Sequence, residues 1–232
     1  MLLWNPVYFI FAMPAFLLAL YAQWKVNASY QRYLRVPNAA GMTGVDAARR
    51  MLQTAGIQVK LEGIPGNLTD HYDPRRKVLR LSSGVAERAS VASVAIVAHE
   101  IGHALQDAQA YALLRLRSGL VPVVNFTSWL GPILFLAGMF LQVSELLTLG
   151  VWMFLGAVIF SLVTLPVEID ASRRALQLLQ QSHVLVDSRE LKGAKTVLNA
   201  AALTYVAALA QSLSTLFYYL FILNGSRGRR RS

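Results

Sequence analysis

Four stretches of this chain contain no Asp, Glu, Lys or Arg: residues 1–24, 118–144, 146–167 and 196–226. Each is about as long as the roughly 20 apolar residues that an α-helix needs to cross the hydrocarbon of a bilayer. Buried helices of a soluble protein usually keep a polar stripe where they meet water. These runs show none, so four spanning helices are expected. The first run has no basic segment at its start, carries Trp4 and Tyr8, and lacks a small-x-small cleavage pattern, so it reads as an uncleaved anchor rather than a signal peptide.

The chain has no cysteine, and any metal must therefore be held by histidine and carboxylate. The formal charge of +10 is spread through loops beside the apolar runs. Attraction to anionic lipid headgroups accounts for that distribution, and nucleic acid is not an expected partner.

The organisation that follows is a transmembrane helix over 1–24, an extramembrane region over 25–117, and spans over 118–144 and 146–167. A polar helical segment over 168–195, a fourth span over 203–224 and a basic tail over 225–232 complete it. Within 25–117, Thr43-Gly-Val-Asp46 resembles a capping box opening a short amphipathic helix that Gly56 closes. Ile57, Val59 and Leu61 alternate with polar residues, and Lys77–Ser82 repeats the pattern after a turn-rich segment. A small antiparallel pair is expected there. A long helix over about 86–110, capped by Ser82 or Ser83, should follow. The fold class is thus a mainly α membrane protein with four spans and a small α+β juxtamembrane domain.

The chemistry lies on that long helix. His99-Glu100-Ile101-Gly102-His103 has the HExxH spacing. Residues i and i+4 share one helical face, so both imidazoles can bind one Zn²⁺, with Glu100 beside it as a general base. Catalytic zinc takes a third protein ligand and keeps a position open. Outside the motif the candidates are His71, His183 and the carboxylates, and Glu168, at the mouth of the third span and the start of a polar helix, is the first choice. Asp170 is its rival, but two residues turn a helix by about 200°, so only one of the two can face the metal. Two spans separate His99 and His103 from Glu168 and return both segments to one side of the membrane, so the site can close. Asp107, one turn beyond His103, is a candidate to accept a hydrogen bond from an imidazole.

Several strings together resemble the YugP-like family of bacterial membrane zinc metallopeptidases. They are Asp70-His-Tyr-Asp-Pro74, Lys77-Val-Leu-Arg-Leu-Ser82, Ala98-His-Glu-Ile-Gly-His-Ala-Leu-Gln-Asp107, Leu116-Arg-Ser118, Val167-Glu-Ile-Asp-Ala-Ser172 and Leu203-Thr-Tyr-Val-Ala-Ala-Leu209. The resemblance covers nearly the whole chain. It implies a neutral zinc peptidase in a bacterial cytoplasmic membrane, with His99 and His103 as ligands, Glu100 as base and Glu168 as third ligand. More distantly the arrangement is similar to the HtpX and CAAX-prenyl membrane peptidases, whose later helix carries Glu-x-x-x-Asp. Here that last position is Ser172, which leaves the partner behind the ligands open between Asp107 and Asp170.

His71 and Tyr205 are further catalytic candidates, for a reaction oxyanion or for proton transfer. An exposed edge on the Lys77–Ser82 strand could pair with an extended peptide, so the expected substrate is an extended or unfolded protein segment. Lys25, Arg32, Arg35, Arg115, Arg117, Arg173, Arg174, Lys192 and Lys195 flank the spans on the catalytic side, and Arg227, Arg229, Arg230 and Arg231 lie on the other. The larger group places the active site in the cytoplasm. The alternative readings are a metal-binding membrane scaffold that does not hydrolyse, and a quality-control adaptor that binds unfolded segments without cutting them.

Overall fold

A computed structural model describes residues 6–229; Trp4, Arg230 and Arg231 lie outside the described residues. Among the described residues, seven helices and three strands follow one another as α1 (Pro6–Leu34), α2 (Gly44–Ala55), β1 (Lys60–Ile64), β2 (His71–Asp73), β3 (Val78–Ser82), α3 (Ser83–Ala86), α4 (Val91–Ala108), α5 (Ala112–Phe140), α6 (Ser144–Gln181) and α7 (Ser188–Arg229). Four of them, α1, α5, α6 and α7, are long and apolar enough to cross a membrane, and the mainly helical membrane class read from the charge-free runs holds.

The chain forms two compact units. One comprises Met1–Tyr21, Leu116–Leu165 and Tyr205–Ser232, the other Ala22–Arg115 and Pro166–Thr204. The first unit is built from the charge-free sequence. Its small interior gathers Phe135, Leu147, Val151 and Leu223, with the Tyr219 ring stacked on Phe135 at 3.8 Å. Large apolar side chains point outward instead: Trp129 and Trp152 are each 67% exposed. That inversion suits a lipid solvent, in which apolar surface is not penalised and small residues make the helix contacts. At Gly150 a Cβ would lie 2.7 Å from the Phe135 backbone nitrogen, so α5 and α6 approach more closely than any other residue there would allow.

The second unit has a conventional buried core. Met51 and Leu52 of α2, Leu79 and Leu81 of β3, Val94, Ala98 and Ile101 of α4, and Leu178 and Leu179 of α6 pack together. The expected caps of α2 are present: Thr43 accepts the Asp46 amide, and Gly56 closes the helix in the left-handed region. The sheet is a small mixed one, ordered β1-β3-β2. An antiparallel pair exists, but it joins β2 to β3; β1 runs parallel to β3. Parallel neighbours need a crossover of about a dozen residues, and residues 65–77 supply it, with β2 laid down on the way back. The expectation of a free edge on Lys77–Ser82 is therefore overturned, because β3 is the central strand and both its edges are paired.

The expected helix over 86–110 is broken into α3 and α4. Asn38 donates its amide to Ala89, and Val91 donates to Val36, so the backbone near residue 90 is committed to the segment after α1. Ser90, not Ser82 or Ser83, caps α4, its Oγ accepting the Ser93 amide at 3.1 Å. Glu168 likewise does not open a helix, since α6 runs unbroken from Ser144 to Gln181.

Candidate active site

His99 and His103 lie one turn apart on α4, and their Nε2 atoms turn toward one carboxylate oxygen of Glu168, at 3.1 and 3.5 Å. Glu168, from α6, is 1% exposed, and a buried carboxylate demands charged or hydrogen-bonding partners. The side chains converge because the two backbones nearly touch. A Cβ on Gly102 would lie 2.5 Å from the Ala171 carbonyl oxygen, so glycine within the motif is what lets α4 and α6 meet. The three ligating atoms all fall within 4.8 Å of one another.

The outward-facing imidazole nitrogens are held as well. Gln106, fully buried, donates its amide nitrogen to the Val167 carbonyl at 2.8 Å and to Asp170 Oδ2 at 2.9 Å. Two acceptors on one side fix the amide, so its oxygen faces His103 Nδ1 at 3.0 Å. The proton then sits on Nδ1 and the Nε2 lone pair is free for a metal. Ser172 Oγ plays the corresponding part at His99 Nδ1, at 3.2 Å. Asp170 in turn receives Arg174 Nε at 2.5 Å, and the same guanidinium lies 5.7 Å from the centre of the Tyr111 ring.

Glu100 is positioned from the sheet. The backbone N–H of Tyr72 on β2 donates to Glu100 Oε2 at 3.0 Å, and the Tyr72 hydroxyl donates to Asp107 Oδ2 at 2.8 Å. Tyr72 thus fastens β2 to α4 at two points. Burial, then the Asp107 hydrogen bond, push the Tyr72 hydroxyl well above its ordinary pKa, so it remains a donor. Burial also raises the Glu100 carboxyl, against the pull of His99 and His103. At His103 burial favours the neutral ring, but the Glu168 hydrogen bond and the charges of Glu100 and Glu168 outweigh it and shift the group upward.

His99, Glu100, His103 and Glu168 are therefore brought together as the sequence suggested. Asp170 meets Gln106 and Arg174, and Asp107 meets Tyr72. His71 is exposed on β2, with Nδ1 against the Thr69 carbonyl and Nε2 beside Arg80. Tyr205 lies on α7 in the other unit. Gln106, Ser172 and the Tyr72 amide are the contributions that sequence reading did not assign. Gln106 had a visible signal, a polar residue three positions after His103 on the same helical face.

Two imidazoles and one carboxylate, with the distal imidazole nitrogens hydrogen-bonded, form a donor set that fits a catalytic zinc ion. The comparisons point the same way. A family model described as "Putative neutral zinc metallopeptidase" matches residues 8–224, and the chain belongs to that family. It is 46% identical over 220 residues to the "Putative membrane protease YugP" of Bacillus subtilis (strain 168), covering 94% of this chain and 97% of that one. No solved structure matches it.

Proposed function

We propose that the protein is a membrane-embedded zinc endopeptidase in which His99, His103 and Glu168 hold the metal and Glu100 is the general base. The convergence of these three ligand atoms beside Glu100 carries the reading. Zinc supplies Lewis acidity, polarising a peptide carbonyl and making water easier to deprotonate. Glu100 takes the proton from the attacking water and delivers it to the leaving amine, in a direction fixed by the Tyr72 amide. Gln106 and Ser172 keep both rings aimed inward. Hydrolysis spends one water and leaves a carboxylate and an amine.

The substrate we infer is an extended or unfolded protein segment. β2 is an outer strand of the sheet, and the Tyr72 amide on it touches the base, so a chain lying along β2 passes the reacting groups. His71 and Asp73 flank Tyr72 on that strand, and His71 is retained as a candidate for stabilising the oxyanion. The predominance of Lys and Arg on the catalytic side of the spans supports a site facing the cytoplasm of a bacterial inner membrane.

The test is cleavage of an unfolded protein in detergent, with zinc quantified, by wild type and Glu100→Gln. Both should bind zinc and only wild type should cut. Zinc binding with equal cleavage would remove Glu100 from the mechanism. Zinc binding without cleavage by either would favour the scaffold.

A further inference from the structure

A cavity of about 480 Å³ is lined by Asn27, Tyr30, Gln31, Arg35, Asn67 and Arg88, among others. It belongs to the same unit as the zinc site but shares no residue with it. Two arginines line it and no carboxylate does. Neither Arg35 nor Arg88 has an ion pair among the described residues. Both arginines are exposed, and two guanidiniums lining one cavity together with Leu34 and Leu68 suit an anionic ligand that has several acceptor oxygens and an apolar part. Gly84 opens the floor: a Cβ there would point toward Asn67 Oδ1 at 3.6 Å and the Tyr30 hydroxyl at 3.7 Å. The Tyr30 hydroxyl can donate to a phosphate oxygen, and Asn67 Oδ1 can accept from a ligand hydroxyl.

We propose that this cavity binds the phosphate-bearing headgroup of an anionic membrane phospholipid. The position along α1 favours a lipid over a soluble anion. The 24 residues before Lys25 carry no charge, and α1 is itself a candidate span. Trp24, 64% exposed, and Lys25 follow directly, in the order that marks a membrane interface. Trp24, Asn27 and Gln31 recur at helical spacing on one face of α1, and Arg35 lies in the turn just past its last residue. An exposed aromatic ring is thus followed along the same face by the two amides of the cavity, with the Arg35 guanidinium just beyond the helix end. A volume of this size accommodates a glycerophosphate group.

The experiment is native mass spectrometry of the full chain in detergent, titrated separately with phosphatidylglycerol and phosphatidylcholine and with inorganic phosphate as competitor. Wild type, Arg35→Gln/Arg88→Gln and Gly84→Leu are compared; the last fills the cavity where a Cβ meets only ordinary contacts. Wild type should prefer phosphatidylglycerol. The double variant should lose about 30-fold in affinity, as expected for two cationic contacts near a membrane surface, and Gly84→Leu should lose it too. Weakening by millimolar phosphate would locate recognition in the phosphate group; no weakening would show that the site requires lipid as well as charge. Equal binding of the two lipids, or undiminished phosphatidylglycerol binding by both variants, overturns the proposal. So does an acidic peptide that binds wild type with the same arginine dependence while phosphatidylglycerol does not.

Discussion

Gln106 has no charge and no atom facing the metal position, yet it links His103 to Val167 and Asp170 across two helices. Gln106→Leu keeps the volume and leaves three polar groups without their partner. Zinc affinity, read by chelator competition, should fall about 10- to 100-fold, the usual cost of removing a partner behind a metal ligand. Asp170→Asn should have a smaller effect, because Asp170 reaches the ligand only through Gln106. Ser172 offers the converse test. Ser172→Asp places a stronger acceptor behind His99 and should tighten zinc binding, whereas Ser172→Ala should weaken it by about tenfold. That His99 and His103 share one face of a helix with Glu100 beside them was legible from sequence, because helix geometry fixes the i, i+4 relation. The supports were not, because which polar atom lies behind an imidazole depends on how α4 meets α6.

Individual elements meet the site through backbone as much as through side chains. Gly102→Ala would drive a methyl group into the Ala171 carbonyl, and rigid neighbours answer such overpacking with shifts costing about 1–3 kcal/mol. The variant should fold with a lowered melting temperature and lose most of its zinc, since the two helices that carry the ligands must separate. Tyr72→Phe removes only the hydroxyl bond to Asp107. It should cost about 1–2 kcal/mol of stability while retaining measurable cleavage, because the amide that orients Glu100 is unchanged. Tyr72→Pro, which lacks that amide, should abolish cleavage. Periodicity revealed that strands lie before the catalytic helix but not their order. The parallel pairing of β1 with β3 is decided by the crossover through 65–77 and by Arg80, which reaches both Glu62 and Asp73. The break before α4 was hidden because Ser82, Ser83 and Ser90 are equivalent caps by composition, and only the pairing of residues 36–38 with 89–91 selects Ser90.

At the scale of the whole molecule the charge-free runs were decisive, because no alternative burial suits four helices with large apolar groups facing outward. The chain lacks cysteine, so a single introduced one reports its own side of the membrane. Lys60→Cys, in the catalytic unit, should react with an impermeant maleimide only in inverted vesicles, and Gln142→Cys, in the turn between α5 and α6, only in intact cells. The opposite pattern would move the active site to the outside. The account as a whole rests on three residues from two helices acting as one metal site. The most direct measurement is zinc content per chain of purified wild type, His99→Ala and Glu168→Ala, each checked for retained helicity. The account predicts one zinc in wild type and almost none in either folded variant. Full zinc in Glu168→Ala would contradict the third ligand, and a folded wild type without zinc would contradict the site itself.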